Sequence, residues 1–315
     1  MADLEKLNQS FDQMIQLMMQ MKQSLSEEEK PATATAPTPA PTPTPKQADS
    51  PTEPELDSFD KLKEALASSK WPEAVNPNLI CDPNSATDKT ERGRGIIELM
   101  IEEDLKGLKV LDYGCGEGHC VHLATDYETE LSVGFDIQAN DQWDSLKKDK
   151  VIFTTEFSKV QENGPYDIII LFDVIDHLKG EDPVDVLKKV KSILKDEGKI
   201  YLRCHPFMSR HATHLYHSLN KAYAHLVFSE EELKQIAPNM EHQEENIGVK
   251  FPLKTYHEYL SDAGLKSVNR RDINEKVEPF FKIPKIAERI MNNTGFGNFP
   301  EFQMSLQFID FVLRK

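Results

Sequence analysis

The sequence predicts a doubly wound α/β fold on a mostly parallel sheet, preceded by a separate amphipathic helix and an extended spacer. Three observations lead there. From about residue 57 onward, short apolar runs rich in β-branched residues alternate with amphipathic helical stretches. A glycine-rich turn directly follows the first of those runs. The first 56 residues show neither feature.

Residues 3–25 place Leu4, Leu7, Phe11, Met14, Met18, Met21 and Leu25 at alternating steps of three and four, the seam of a three-heptad helix. Ile15 and Leu17 widen the stripe. A lone helix of this length is marginal in water and cannot bury its own seam. Residues 1–30 are therefore expected to pair with copies of themselves or to dock on a partner, making a homo-oligomer or a larger assembly. Packing of this helix on its own domain is the alternative. Residues 31–56 follow as a Pro/Thr/Ala-rich linker. The stretch 31–54 holds 8 of the 19 prolines and no glycine, so it favours extended polyproline geometry and spans roughly 75 Å when fully extended.

The globular body is assigned to residues 57–315. A short helix at 57–67 precedes strands expected at 108–113, 130–136, 150–154, 166–172 and 198–204, with helices between them. Apolar stretches at 265–272 and 303–313 are candidates for two more strands. The βαβα order calls for parallel strands covered by helices on both faces.

Charge and cysteine usage narrow the functional classes. The net charge of -16 disfavours a general nucleic-acid coat, which relies on clustered Lys and Arg. Four scattered cysteines (Cys81, Cys115, Cys120 and Cys204) form no C-x-x-C pair, so small buried thiols in a reducing, cytoplasmic compartment are expected, with no metal site. The N-terminus lacks the basic and apolar regions of a secretory signal, and no apolar run approaches the ~20 residues that span a bilayer.

The stretch Lys109-Val-Leu-Asp-Tyr-Gly-Cys-Gly-Glu-Gly-His119 is the most informative in the chain. A strand enters it, and Asp112 lies near the strand's end. Gly114, Gly116 and Gly118 then let the backbone turn and approach a ligand, and a helix at 117–126 leaves. The spacing D-x-G-x-G-x-G differs from the G-x-G-x-x-G of dinucleotide sites, which argues against an NAD-dependent oxidoreductase. Asp112 and Glu117 put negative charge around the turn, suiting a cationic or zwitterionic ligand. Asp136 ends the next strand, near the spacing expected of an acid that grips ribose hydroxyls. Thr155-Glu156-Phe157 follows the third strand, and Asp173-Val-Ile-Asp-His177 follows the fourth.

Together these residues resemble the class I S-adenosylmethionine-dependent methyltransferases, over roughly residues 90 to 205. Val174-Ile175-Asp176-His177 looks like the family's Leu-Glu-His turn, with Asp for Glu, and Glu197-Gly198 stands where Pro-Gly is usual. The resemblance implies a Rossmann-like seven-stranded sheet whose last strand folds back antiparallel, and S-adenosyl-L-methionine as cofactor. It places Gly114, Gly116 and Gly118 along the methionine and ribose, with Cys115 also cofactor-binding, Asp112 near the amino-acid portion and Asp136 at the ribose. Glu156 or Phe157 would face the adenine, Ile137 beside Asp136 would also bind the cofactor, and Asp173 would line the pocket. The chemistry would be displacement of a methyl group from a sulfonium onto an O or N acceptor, for which the protein mainly supplies alignment.

The acceptor is expected at the carboxyl ends of the strands. His177 and His205 are the candidate general bases, His177 also being suited simply to closing its turn. Lid insertions are expected near 208–252 and 275–299. The first carries His211, His214, His217 and His225 on a presumed helix, read as a polar lid in preference to a zinc site, with a composition suiting an anionic or sugar-like acceptor. The Asn/Asp-Pro-Pro-aromatic tetrad of DNA amino-methyltransferases is absent after strand four. The resulting expectation is a methyltransferase for a small-molecule, glycan or lipid-like acceptor, tethered by its N-terminal helix. A scaffold with a cofactor-binding but non-catalytic body and a nucleic-acid methyltransferase are the alternatives.

Overall fold

Each predicted strand forms where the apolar runs place it. The computed structural model describes residue 56 and residues 58–76, 85–178, 182–212, 215–238 and 253–315. The heptad helix, the spacer up to residue 55, Cys81, His214 and the lid residues 239–252 lie outside the described residues.

In order, the strands are β1 (Lys109–Tyr113), β2 (Leu131–Phe135), β3 (Val151–Thr154), β4 (Tyr166–Phe172), β5 (Leu194–Cys204), β6 (Lys266–Asn274) and β7 (Leu306–Arg314). They make one seven-stranded sheet in the order β3-β2-β1-β4-β5-β7-β6. The first five run parallel, and β7 pairs antiparallel with both β5 and β6. β5 starts four residues before the apolar run at 198, because a register irregularity lets Leu194 pair with Tyr166 ahead of the regular ladder.

The helices are α1 (Phe59–Ala67), α2 (Ala86–Met100), α3 (His119–Ala124), α4 (Trp143–Leu146), α5 (Phe157–Asn163), α6 (Pro183–Ser192), α7 (Ala224–Val227), α8 (Glu230–Ile236), α9 (Leu253–Asp262), α10 (Pro284–Thr294) and α11 (Glu301–Ser305). The period-two alternation of the strands decides which helices cover which face. Val110, Ile168 and Ile170 pack with Ile97 and Met100 of α2 and Leu123 of α3. Leu111, Ile169 and Leu171 point the other way and pack with Val160 of α5, Val186 and Leu187 of α6, and Tyr256 and Leu260 of α9. The central strands β1 and β4 are mostly apolar because both faces are buried, whereas the edge strand β6 is polar and largely exposed.

A second core stands apart from the sheet. Leu56, Leu62, Leu66 and Trp71 from the segment around α1 join Tyr223, Leu226 and Phe228 of the first insertion and Phe281, Ile286 and Ile290 of the second. Trp71 stacks on Phe228 with ring centroids 5.6 Å apart, and its indole N–H donates to the carbonyl of Ala222 at 2.9 Å. Truncating such a buried indole costs roughly 3–5 kcal/mol. The two insertions are thus packed on each other and on α1, rather than being independent flaps. Leu56, placed with the spacer by composition, is buried in this core, and residues from Pro54 onward form one compact unit. The body therefore begins slightly before residue 57.

The first insertion does not form the single histidine-bearing helix expected from sequence. His211 lies in a turn, Leu215–His217 is one 3-10 turn, and His225 sits on the four-residue α7 with its Nε2 2.9 Å from the carbonyl of Phe207. Apolar residues at 222–228 fold into the second core and break the helix there.

Candidate active site

Backbone shapes the first part of the site. Gly114, Gly116 and Gly118 all have positive φ (84°, 51° and 88°), the left-handed region where a Cβ is penalised. Two of them are also closed by neighbours: a Cβ on Gly114 would sit 2.5 Å from Val174 Cγ2, and one on Gly118 2.4 Å from Phe153 Cε1. Gly116 differs, since a Cβ there would meet nothing within 4 Å. The crest of the turn faces open space.

The turn is held from below. The N–H groups of Gly114 and Cys115 both donate to the carbonyl of Phe135 (2.7 and 3.0 Å), and Gly118 N–H donates to the carbonyl of Cys115 at 2.9 Å. Gly116 N–H donates to Asp136 Oδ2 at 2.9 Å, and Trp143 Nε1 donates to the carbonyl of Gly116 at 2.8 Å. Trp143 in turn stacks on Phe153, centroids 5.3 Å apart. A phosphate-binding loop keeps its N–H groups for the anion. Here those of residues 114, 115, 116 and 118 are already committed, so the turn offers room rather than anion donors. Cys115 contributes backbone only; its thiol is buried with Val121 and Trp143, and burial pushes its pKa up.

Carboxylates surround this turn. Asp112 is buried beside the loop, and its pKa is pushed up to about 7, first by burial and then by the nearby charge of Asp136, with Arg92 opposing. Asp173 has φ 56°, an unusual conformation for a non-glycine residue and one that clusters at functional sites. Burial raises its pKa to about 6 against the opposing charges of Arg92 and Arg203, and its Oδ1 is buried without a hydrogen-bond partner. Arg92 on α2 stands 4.0 Å from Asp173 Oδ2. Asp112, raised by burial and by the charge of Asp136, and Asp173 with its unsatisfied oxygen make a site that stabilises added positive charge. Glu117, read from sequence as part of this charge, is neutralised: Lys89 Nζ lies 2.7 Å from its Oε1, tying α2 to the loop.

The remaining predicted residues divide by location. Ile137 is 77% exposed next to Asp136, an apolar surface left open at the rim. Glu156 is exposed and pairs with Lys159 at 2.7 Å, whereas Phe157 turns into the core against Tyr113 and Phe135. His177 lies on the exposed side of the turn after β4. His205 is only 4% exposed, and its ring packs on His211 and Phe308, centroids 4.7 and 4.8 Å away.

Asp176, placed by sequence in the turn after β4 but given no role there, joins these turns. Asp176, 1% exposed, accepts from the backbone N–H of His205 at 2.6 Å and from the hydroxyl of Tyr256. Burial lifts its pKa to about 7 while both hydrogen bonds pull it back down. The acid of the Asp176-His177 pair thus braces β4 to β5. Arg203 was missed as well: it donates from Nε and Nη2 to Asp310 (2.6 and 2.7 Å) and lies 5.0 Å from the ring centroids of both Phe172 and Phe308. Its partners come from β4 and β7, more than a hundred residues apart in the latter case, so no local signal could have revealed the arrangement. Among the described residues no group of three or more His, Cys, Asp or Glu could hold a metal ion, and no helix is long and apolar enough to cross a membrane.

A parallel five-strand unit closed by an antiparallel β7, with a glycine turn and acids at the carboxyl ends of β1 and β2, defines a cofactor-binding transferase fold. Residues 87–240 match a family model described as a methyltransferase domain. This stretch is a methyltransferase domain of the class I S-adenosylmethionine-dependent type, with S-adenosylmethionine as its cofactor. No curated protein matches the sequence. Similar solved structures include an S-adenosylmethionine-dependent methyltransferase from Mesorhizobium loti (12% identity, 70% of this chain and 95% of that one, TM-score 0.45). A second, from Archaeoglobus fulgidus, is 17% identical over 73% of this chain and 95% of its own, with TM-score 0.44. A third is the 1,6-didemethyltoxoflavin-N1-methyltransferase of Burkholderia thailandensis with its substrate and S-adenosylhomocysteine bound (11% identity, 85% and 93% coverage, TM-score 0.43).

Proposed function

We propose that this protein transfers the methyl group of S-adenosylmethionine to an O or N atom of a small-molecule, glycan or lipid-like acceptor bound at the carboxyl ends of β4 and β5. The observation that carries the reading is the open crest at Gly116, ringed by Asp112, Asp136 and Asp173. The cofactor presents an ammonium and a sulfonium, and that acid ring suits both. Asp136 keeps lone pairs for a ribose diol while its Oδ2 holds Gly116 N–H. Ile137 offers an apolar face for the adenine, with Glu156 on the same rim. Gly114, Cys115 and Gly118 shape the cradle through their backbone.

When bound, S-adenosylmethionine supplies an electrophilic methyl carbon, which bonds to the acceptor atom while the carbon–sulfur electron pair stays on sulfur. The chain's own task is to orient the acceptor in line, exclude water and receive the proton the acceptor gives up. Asp173 and His205 are the groups at this rim suited to that proton. His177, on the exposed face of its turn, suits relaying it to solvent.

The N-terminal heptad helix and proline-rich spacer would tether this body to an oligomer or assembly, a reading that rests on the spacing of residues 3–25. The three described cysteines are free buried thiols, in keeping with a reducing, cytoplasmic setting. Calorimetry with S-adenosylmethionine, S-adenosylhomocysteine and NAD tests the central claim: the first two should bind and NAD should not. Failure of both to bind sinks it. Light scattering of the full chain against a truncation starting at residue 54 tests self-association, equal protomer counts refuting it.

A further inference from the structure

The far side of the site holds a second constellation that methyl transfer alone does not explain. Phe172 at the end of β4 lies between two guanidiniums, Arg92 at 5.6 Å and Arg203 at 5.0 Å from its centroid. Arg203 continues the stack onto Phe308 at 5.0 Å. Phe308 then contacts His205 and His211, at 4.8 and 5.7 Å between centroids, and His211 contacts Tyr216 at 5.8 Å edge-on. Five elements therefore contribute to one wall of alternating rings and planar cations along the carboxyl rim of the sheet. Its outward members Phe172, His211, Tyr216 and Phe308 remain partly exposed.

Each guanidinium in this wall has a carboxylate beside it. Asp310 is gripped by Arg203 and also by Arg271, whose Nη2 lies 2.6 Å from Oδ2, and Arg92 faces Asp173. Such a surface gives little attraction to an anion. It presents flat faces that favour another ring by stacking and edge contacts. Within this wall, Nδ1 of His211 is buried with no hydrogen-bond partner. Burial and the adjacent Arg210 charge push this imidazole down to about 4, so it is neutral at pH 7. A neutral imidazole can adopt the tautomer in which Nδ1 accepts a hydrogen bond. Leaving a buried acceptor unsatisfied costs roughly 1–3 kcal/mol, which a ligand donor would recover.

We propose that this wall is the acceptor site and takes a flat, uncharged aromatic ring bearing a hydroxyl or amino group, whose N–H or O–H donates to Nδ1 of His211. The ring lies against His211, Tyr216 and Phe308, and His211 is a positioning residue that fixes its orientation. The proposal rests on the methyl-transfer reading above and narrows its acceptor class.

The test uses the full chain saturated with S-adenosylhomocysteine, whose binding is measured first by calorimetry. Absence of that binding would count against the methyl-transfer reading itself. With the complex formed, 6-hydroxyquinoline, quinoline and methyl α-glucoside are titrated separately and followed by ligand-observed NMR. The hydroxylated ring should bind saturably, quinoline more weakly, and the glucoside not at all. His211→Phe keeps a ring but removes the acceptor, so it should weaken 6-hydroxyquinoline by roughly three- to tenfold and leave quinoline unchanged. Tyr216→Ala, at the partly exposed end of the wall, should weaken both rings and serves if the first variant does not fold. Preference for the glucoside, no saturable ring binding, or equal effects of His211→Phe on the two quinolines would overturn the proposal.

Discussion

The two halves of the sheet's carboxyl rim are built in different ways. At β1, β2 and β3 the site is made of backbone: three glycines with positive φ, their N–H groups committed to Phe135, Cys115 and Asp136, and padding by Phe153 and Trp143 beneath. At β4, β5 and β7 it is made of side chains, with Phe172, Arg203, His205, His211 and Phe308 drawn from positions far apart in the chain. The first half leaves acid charge unbalanced, and the second pairs its charges internally. A ligand that is always the same can be met by a short, stiff backbone motif. A surface that must suit one particular acceptor is more readily varied through side chains and insertions.

The sharpest way to break this contrast is at the glycines. Gly118→Ala forces a Cβ into Phe153 at positive φ and should unfold the loop, seen as a large drop in melting temperature together with lost cofactor binding. Gly116→Ala meets no neighbour, so its stability cost should be only the left-handed penalty of about 1–2 kcal/mol. Calorimetry should nevertheless show S-adenosylhomocysteine affinity falling at least as far as the penalty's ~10-fold equivalent. Native affinity in Gly116→Ala would mean the open crest is not where the cofactor lies.

Asp136→Ala comes next in size. It removes a carboxylate that accepts from Gly116 and is proposed to hold the ribose, so affinity should fall by roughly 10- to 100-fold, in line with about 1.5–3 kcal/mol for a charged hydrogen bond. Tyr256→Phe probes the other half. It strips a donor from buried Asp176 and should cost about 1–3 kcal/mol in denaturant unfolding while leaving cofactor affinity within a factor of two. An equal loss of cofactor binding would show that the halves are not separable.

The pH response of Asp112 tests the first half by a separate route. Its folded pKa of about 7 lies above its ordinary 3.8, so between these values the folded state holds the proton more tightly than the unfolded one. This group's contribution to stability is therefore full below about 3.8 and lost as pH rises through 7. Asp112→Asn should raise the melting temperature of the cofactor-free protein at pH 8 and change it little at pH 5. In the same variant cofactor affinity should drop. No gain at pH 8 would show that the carboxylate is not strained by burial.

These contrasts also explain what could be read in the one-dimensional chain. β4 was found at its observed bounds and β1 within a residue, because both faces of these strands are buried and their apolar runs are continuous. The glycine turn, Asp112 and Asp136 were legible because 25 consecutive residues contain them. Asp176, Tyr256, Arg203 and Asp310 were not, since a brace between residues 80 or 107 positions apart has no local period. Phe157, a ring after β3 read as near the adenine, packs edge-on against Tyr113 and Phe135 and is partly buried. The histidines at 211, 217 and 225 were assigned one helix, but the apolar residues between them prefer the second core.

By itself the sequence determined the parallel sheet and the glycine turn, because each depends on periodicity or on contiguous residues with special backbone freedom; the class of cofactor followed from the family its motifs resemble. Only tertiary structure decided that Glu117 is neutralised by Lys89 and that the insertions fold together on α1. It also set the aromatic wall along the rim of β4, β5 and β7. The physical reason is the same in each case: whether a charge is free or a ring is exposed depends on what folds against it, and those neighbours come from distant parts of the chain.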